Sequence, residues 1–133
     1  MTSPDGLTKA LRCAEAALDK KAVDLAVLDV GGLTSIADYL VICTGRSDRQ
    51  VQAIAQAIDE YLRADDVRPN AIEGMTRGQW VLLDYTDVIV HVFQKPVREF
   101  YDLERMWEHA PHVQLPEPLR SQALGFSSET AAI

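Results

Sequence analysis

Apolar residues recur along this chain in two rhythms, one near 3.6 residues and one of two, and the changes of rhythm divide it into elements. Leu7, Ala10, Leu11, Ala14, Ala17 and Leu18 stand at helical spacing behind Ser3-Pro4, which pairs a capping residue with proline at the first helical position. Lys20-Lys21 suits the negative end of that helix's dipole. Val23 to Val30 is short, aliphatic and closed by Gly31-Gly32, which predicts a strand. Tyr39 to Thr44 is a second strand, and its nearly unbroken apolar run is that of a central strand covered on both faces. Gly45 ends it. Ser47 and Gln50 then form a capping box for a helix whose stripe is Val51, Ile54, Ala55, Ile58, Tyr61 and Leu62.

Val67 to Glu73 contains Pro69 and predicts an edge strand, followed by a turn over Gly74 to Gly78. Gln79 to Tyr85 and Val88 to Phe93 are two further strands, and the link Thr86-Asp87 is so short that they pair antiparallel. Pro96 opens a last helix on which Phe100, Leu103 and Trp107 share an apolar face, with Val97 at its flank. Beyond it Pro111, Pro116 and Pro118 break regularity. Residues 1–110 are therefore expected to form one domain, and residues 111–133 a flexible or loosely docked tail. The order of elements predicts the α/β class, with one mixed β-sheet sandwiched by helices and a crossover from Tyr39 through Leu62 to Val67.

Composition narrows the function. The 133 residues are 47% hydrophobic, enough for one domain with a core. Lys and Arg number 13 against 20 Asp and Glu, a net charge of -7, which opposes general affinity for nucleic-acid phosphates and suits a basic partner protein. Cys13 and Cys43 form no CxxC and have no His at ligand spacing, so neither a disulfide framework nor a zinc site is expected, and a reducing, cytoplasmic setting is. No apolar run reaches the length of a membrane span, and Met1 to Gly6 lacks the features of a secretory signal.

Candidate chemistry is sparse. Gly45-Arg46-Ser47 lies at a strand-to-helix turn where backbone N–H groups could meet a phosphate, but it lacks the glycines and lysine of a P-loop. A nucleotidyltransferase would also need paired acids on a following strand, whereas Asp84 and Asp87 span a turn. Ser47 is better read as a helix cap. His91 shares a strand face with Ile89 and Phe93 and would become a base only if an acid such as Asp84 lay across the hairpin. Neither cysteine has a histidine beside it to make a thiolate. No catalytic residue, metal or cofactor is expected. From Asp84 to Glu108, by contrast, Asp84, Asp87, Glu99, Asp102, Glu104 and Glu108 outweigh Lys95, Arg98 and Arg105 and alternate with aromatics. Phe100 and Trp107 belong on the apolar stripe. Trp80, at a strand start, and Tyr101, off the stripe, have the make-up of a protein-binding hot spot.

Several of these stretches together resemble the ribosomal silencing factor family, also called Iojap-like. They are Ile36 to Ser47, Ile72-Glu73-Gly74, Trp80 to Phe93 and Arg98 to Trp107, within a match from about Lys21 to Ala110 that leaves the proline-bearing tail out. The resemblance implies a nucleotidyltransferase-like fold without catalytic acids. It further implies a homodimer that binds protein fourteen of the large ribosomal subunit and keeps the small subunit from joining when nutrients are scarce. Carried over by position, the family's binding surface falls on Trp80, Asp84, Asp87, His91, Arg98, Tyr101 and Glu104, with most weight on Trp80 and Tyr101. Thr86 stands where relatives often have glycine. A nucleotidyltransferase working through Ser47 and Asp84, and a plain dimeric scaffold, are the competing readings.

Overall fold

Tyr39–Gly45 forms a strand, β2, whose residues from Leu40 onward are all buried. The structure, a computed structural model, describes residues 5–124. β1 (Val23–Asp29) lies antiparallel to β2 on one side, and β5 (Val88–Gln94) runs parallel to it on the other, from Tyr39 opposite Val88 to Gly45 opposite Gln94. β4 (Trp80–Asp84) is antiparallel to β5 and carries β3 (Ala71–Glu73) on its outer side. The sheet order is β1-β2-β5-β4-β3, a mixed sheet with β2 and β5 inside it.

One face is covered by α1 (Gly6–Asp19) and α2 (Asp48–Arg63). Ala10, Cys13, Ala14 and Ala17 let α1 come close, and Val51, Ile54, Ile58 and Leu62 of α2 fill the space against Val41, Val81, Leu83, Val90 and Val92. The opposite face holds Leu28, Leu40, Ile42 and Phe93 under Val97, Leu103, Trp107 and Ala110. The sheet is thus sandwiched, as the order of elements implies.

The helix ends follow side-chain chemistry. Ser47 accepts the Gln50 N–H at 3.1 Å, while the Gln50 side chain accepts the Arg46 N–H at 2.6 Å. The same Gln50 amide donates to the carbonyls of Lys20 and Lys21, so one residue caps the start of α2 and tethers the end of α1. At the start of α1 the cap is Asp5, whose carboxylate accepts the Thr8 N–H at 2.7 Å. Ser3, expected in that role, lies outside the described residues. Tyr61 leaves the α2 stripe and donates its hydroxyl to Glu15.

One boundary needs correcting, and one open alternative takes a definite form. The edge strand begins at Ala71 and not at Val67, because Val67 turns its N–H back to the Leu62 carbonyl and its side chain into the helix-side core. The segment from Pro111, expected to be flexible or loosely docked, lies docked as far as Leu124. The Pro111 carbonyl accepts the Asp29 N–H at 2.9 Å, and Val113 N–H donates to Val27 at 2.8 Å, so this segment lies along the outer edge of β1. Proline lacks a donor yet keeps its acceptor, and an extended stretch can therefore seal a sheet edge where a helix cannot form. Val113 and Leu115 pack on the core, and Leu119 of α5 (Leu119–Ala123) is buried. Residues 125–133, the remainder of the expected tail, lie outside the described residues.

Ser47→Ala is predicted to lower stability by about 1 kcal/mol, the usual worth of a helix N-cap. Urea unfolding checks this: the midpoint falls while the slope is unchanged.

Candidate functional site

Trp80 owes its position to the turn before it. Gly74 has φ +84°, and a Cβ there would stand 2.0 Å from the Trp80 carbonyl oxygen, so only glycine fits. Gly78, at φ +67°, would drive a Cβ to 2.7 Å from the Asp48 carbonyl. Gln52 of α2 donates to the Met75 carbonyl at 2.9 Å and pins the turn between them. The chain therefore enters β4 at a fixed point, with Trp80 paired to Phe93.

From there an aromatic cluster steps outward. The Trp80 ring lies 4.8 Å from Phe93 on the buried side and 4.8 Å from Tyr101 on the outer side. Phe100 then meets Tyr101 edge-on at 5.0 Å. Exposure rises along the series, reaching 54% at Tyr101 and 80% at Phe100. The Trp80 indole N–H donates to His91 Nδ1 at 3.0 Å, which places the neutral imidazole's own proton on Nε2. Burial pushes the His91 pKa down to about 4, so the ring is neutral near pH 7.

The acid–base pairing considered for His91 does not form. Leu82 lies opposite His91, and Asp84 lies opposite Ile89. Asp84 accepts the Thr86 N–H at 2.8 Å and shapes the β4–β5 turn, where Thr86 takes φ 76° with its hydroxyl accepting from Asn70. Asp87 accepts from Lys9 at 2.7 Å, and its carbonyl receives the N–H groups of Asp38 and Tyr39. Trp80 and Asp84 occupy opposite ends of β4, about 13 Å apart at strand rise.

Past β5 the expected single helix is two. α3 (Lys95–Tyr101) stops at Asp102, which has the left-handed φ of 45°, and α4 (Leu103–Met106) restarts beyond it. The break resets the helical phase. Leu103 and Trp107 face the core, but Phe100, expected with them, points to solvent. Asp is one of the few residues that tolerate this conformation, and that is the only local signal of the break. Sequence reasoning therefore missed Phe100 as a surface aromatic.

Arg98 ties the pieces together. Its guanidinium donates to both carboxylate oxygens of Glu104, at 2.8 and 3.0 Å, and to the Asp24 carbonyl and Thr44 hydroxyl at 2.7 and 2.8 Å. These bonds hold the Glu104 carboxyl below its usual pKa. The Arg98 side chain is only 12% exposed, so its donors face inward and brace α3 and α4 against the strand ends. The residues singled out from the sequence thus separate into three sets. Trp80, His91 and Tyr101 form the aromatic cluster, Arg98 and Glu104 the brace behind it, and Asp84 and Asp87 the distant turn. Burial also pushes Cys43 up to about 12 and Cys13 upward, away from thiolate chemistry. Among the described residues, no group of three or more His, Cys, Asp or Glu is placed to hold a metal ion, and no helix is long and apolar enough to cross a membrane.

Comparison with known proteins gives matches in both sequence and fold. A family model described as "Ribosomal silencing factor during starvation" matches residues 3–132, which takes in the proline-bearing segment that the sequence resemblance leaves out. The chain is 44% identical over 106 residues to the ribosomal silencing factor RsfS of Bacillus subtilis, covering 79% of this chain and 90% of that protein. It is 47% identical over 89 residues to the Zymomonas mobilis protein of the same name, covering 67% of each. A crystal structure of a Chromobacterium violaceum protein superposes with a TM-score of 0.77 at 35% identity, covering 86% of this chain and 92% of that one.

Two outcomes follow from the buried polar groups. Above pH 6.5 His91 is neutral whether the chain is folded or not; between 6.5 and about 4 only the unfolded chain takes up the proton, so stability falls as pH drops through that window. The loss approaches about 3 kcal/mol, and urea unfolding at a series of pH values should show a flatter slope in His91→Gln. Arg98→Ala should cost about 1 kcal/mol by breaking the ties to Glu104, the Asp24 carbonyl and the buried Thr44 hydroxyl, with a change in tryptophan fluorescence as the turn at Asp102 loosens.

Proposed function

The chain belongs to the ribosomal silencing factor family, and from that membership we propose that it represses translation by occupying the large ribosomal subunit where the small subunit would dock. In this reading the partner is protein fourteen of the large subunit. The repressor works in the cytoplasm as a homodimer under nutrient limitation, and it catalyses no reaction. The observation that carries the reading is the aromatic series from Phe93 through Trp80 and Tyr101 to Phe100, anchored in the core at one end and open to solvent at the other. Large rings on a rigid base bind with little loss of conformational entropy.

Charge supports the same choice of partner. Exposed Glu99 and Asp102 border the rings, and a net charge of -7 draws a basic protein while repelling bare phosphate. A contact of ordinary size needs about 800 Å² from each side, which a domain of this size can supply. His91 and the cysteines also suit a role by contact alone. The imidazole is engaged by Trp80, and both thiols are held protonated.

Of the residues proposed for contact, Trp80 and Tyr101 touch the partner. Arg98, Glu104 and His91 support them from behind; at the far turn Asp84 contributes charge, while Asp87, paired with Lys9, holds the turn in shape. Tyr101→Ala should weaken co-sedimentation with purified large subunits by about 2 kcal/mol, roughly thirtyfold, and should restore subunit joining in proportion. Wild-type protein that leaves joining undisturbed at saturating dose, or that turns over nucleotide with Mg²⁺, would overturn the reading.

A further inference from the structure

The loop joining β1 to β2 holds two aliphatic side chains out in water. Ile36 is 72% exposed and Leu33 53%. The backbone beneath them is already fixed. Leu33 and Thr34 donate to the Val30 carbonyl, Ile36 donates to the Thr34 hydroxyl, and Val30 donates to the Asp38 carbonyl. Asp38 in turn donates to Asp87 across the sheet end at 2.8 Å. Apolar groups displayed on a braced loop lose little freedom when they are covered, and this is how an anchor is built.

The surroundings are acidic. Asp38 and Asp5 are exposed, and the Asp29 carboxylate accepts the Gly31 N–H at the base of the loop. All three lie near enough to Tyr39 to add, behind burial, to the upward shift of its phenol pKa. The cation on this end of α1, Lys9, is spent on Asp87. The loop also lies away from the aromatic cluster. Asp29, Tyr39 and Val88 align at one end of the sheet, and Thr44, Phe93 and Trp80 align near the other.

Charge decides among the occupants such a surface could take. A second copy in a two-fold contact would set these carboxylates against their own equivalents. Nucleic acid would bring phosphates to them. A basic protein segment satisfies both the acids and the aliphatic tips. We propose that the 30–38 loop is a second docking surface, which takes a lysine- or arginine-rich protein segment with an apolar side chain seated on Leu33 and Ile36. This surface lies beside the Asp84 and Asp87 turn, at the end of the sheet away from the Trp80 and Tyr101 cluster, and its docking does not require the ring contact.

The test uses the ¹⁵N-labelled full chain titrated with two synthetic peptides of equal charge, one alternating lysine with leucine and one of lysine alone. The mixed peptide is expected to shift the amides of residues 33–38 saturably, at least tenfold more tightly than the lysine peptide, and less tightly as salt is raised. Leu33→Ser with Ile36→Ser should reduce that binding to the lysine-peptide level while leaving the rest of the spectrum in place. Equal binding of the two peptides would overturn the proposal, as would shifts concentrated at Trp80 and Tyr101. So would a fall in solution mass on Leu33→Ser with Ile36→Ser, which would assign the surface to a second copy. No ribosome is present in the assay, so failure of the silencing reading would leave its result standing.

Discussion

Two strands that run in the same direction cannot be joined by a turn, and the parallel pairing of β2 with β5 governs most of what surrounds it. Between the end of one and the start of the other the chain must travel back the length of the sheet. It does so through α2 and then lays down β3 and β4 on the far side. Because both strands of the pair are buried on both faces, each face needs its own cover, and that need calls for α1 and α2 on one side and α3 and α4 on the other. The hairpin of β4 and β5 then delivers Trp80 to the spot where Phe93 already sits.

The same pairing brings the ends of β2 and β5 side by side. Arg98, in the first turn past β5, can therefore reach Thr44 at the end of β2 and the Asp24 carbonyl on β1. One planar guanidinium joins two strands and two short helices, which a lysine's single ammonium could not do with the same geometry. Short helices of this kind have little stability of their own. The orientation of Tyr101 and Phe100 rests on Arg98 and on the left-handed turn at Asp102 that it flanks.

The parts of this design that are local in the chain were legible in the sequence. The apolar run of β2, the Ser47 and Gln50 cap and the tight Thr86-Asp87 turn each carry their cause within a few residues. What escaped depends on distant partners. The phase break at Asp102 has no glycine or proline to announce it, so Phe100 looked like core. The segment from Pro111 looks irregular because its regularity is borrowed from β1. Of the candidate site, the aromatic pair Trp80 and Tyr101 could be picked out by composition. That Arg98 and Glu104 face each other could not, since a charged pair on a helix is most often a solvated one.

Each border of the sheet is also managed. On one side Pro111 and Val113 occupy the Asp29 N–H and the Val27 carbonyl of β1, and on the other β3 is only three residues long. A sheet finished in this way presents little regular edge to its surroundings. The segment from Pro111 therefore serves as a selvedge: it adds no strand of its own, yet without it the Asp29 N–H and the Val27 carbonyl would face water at the margin of the sheet.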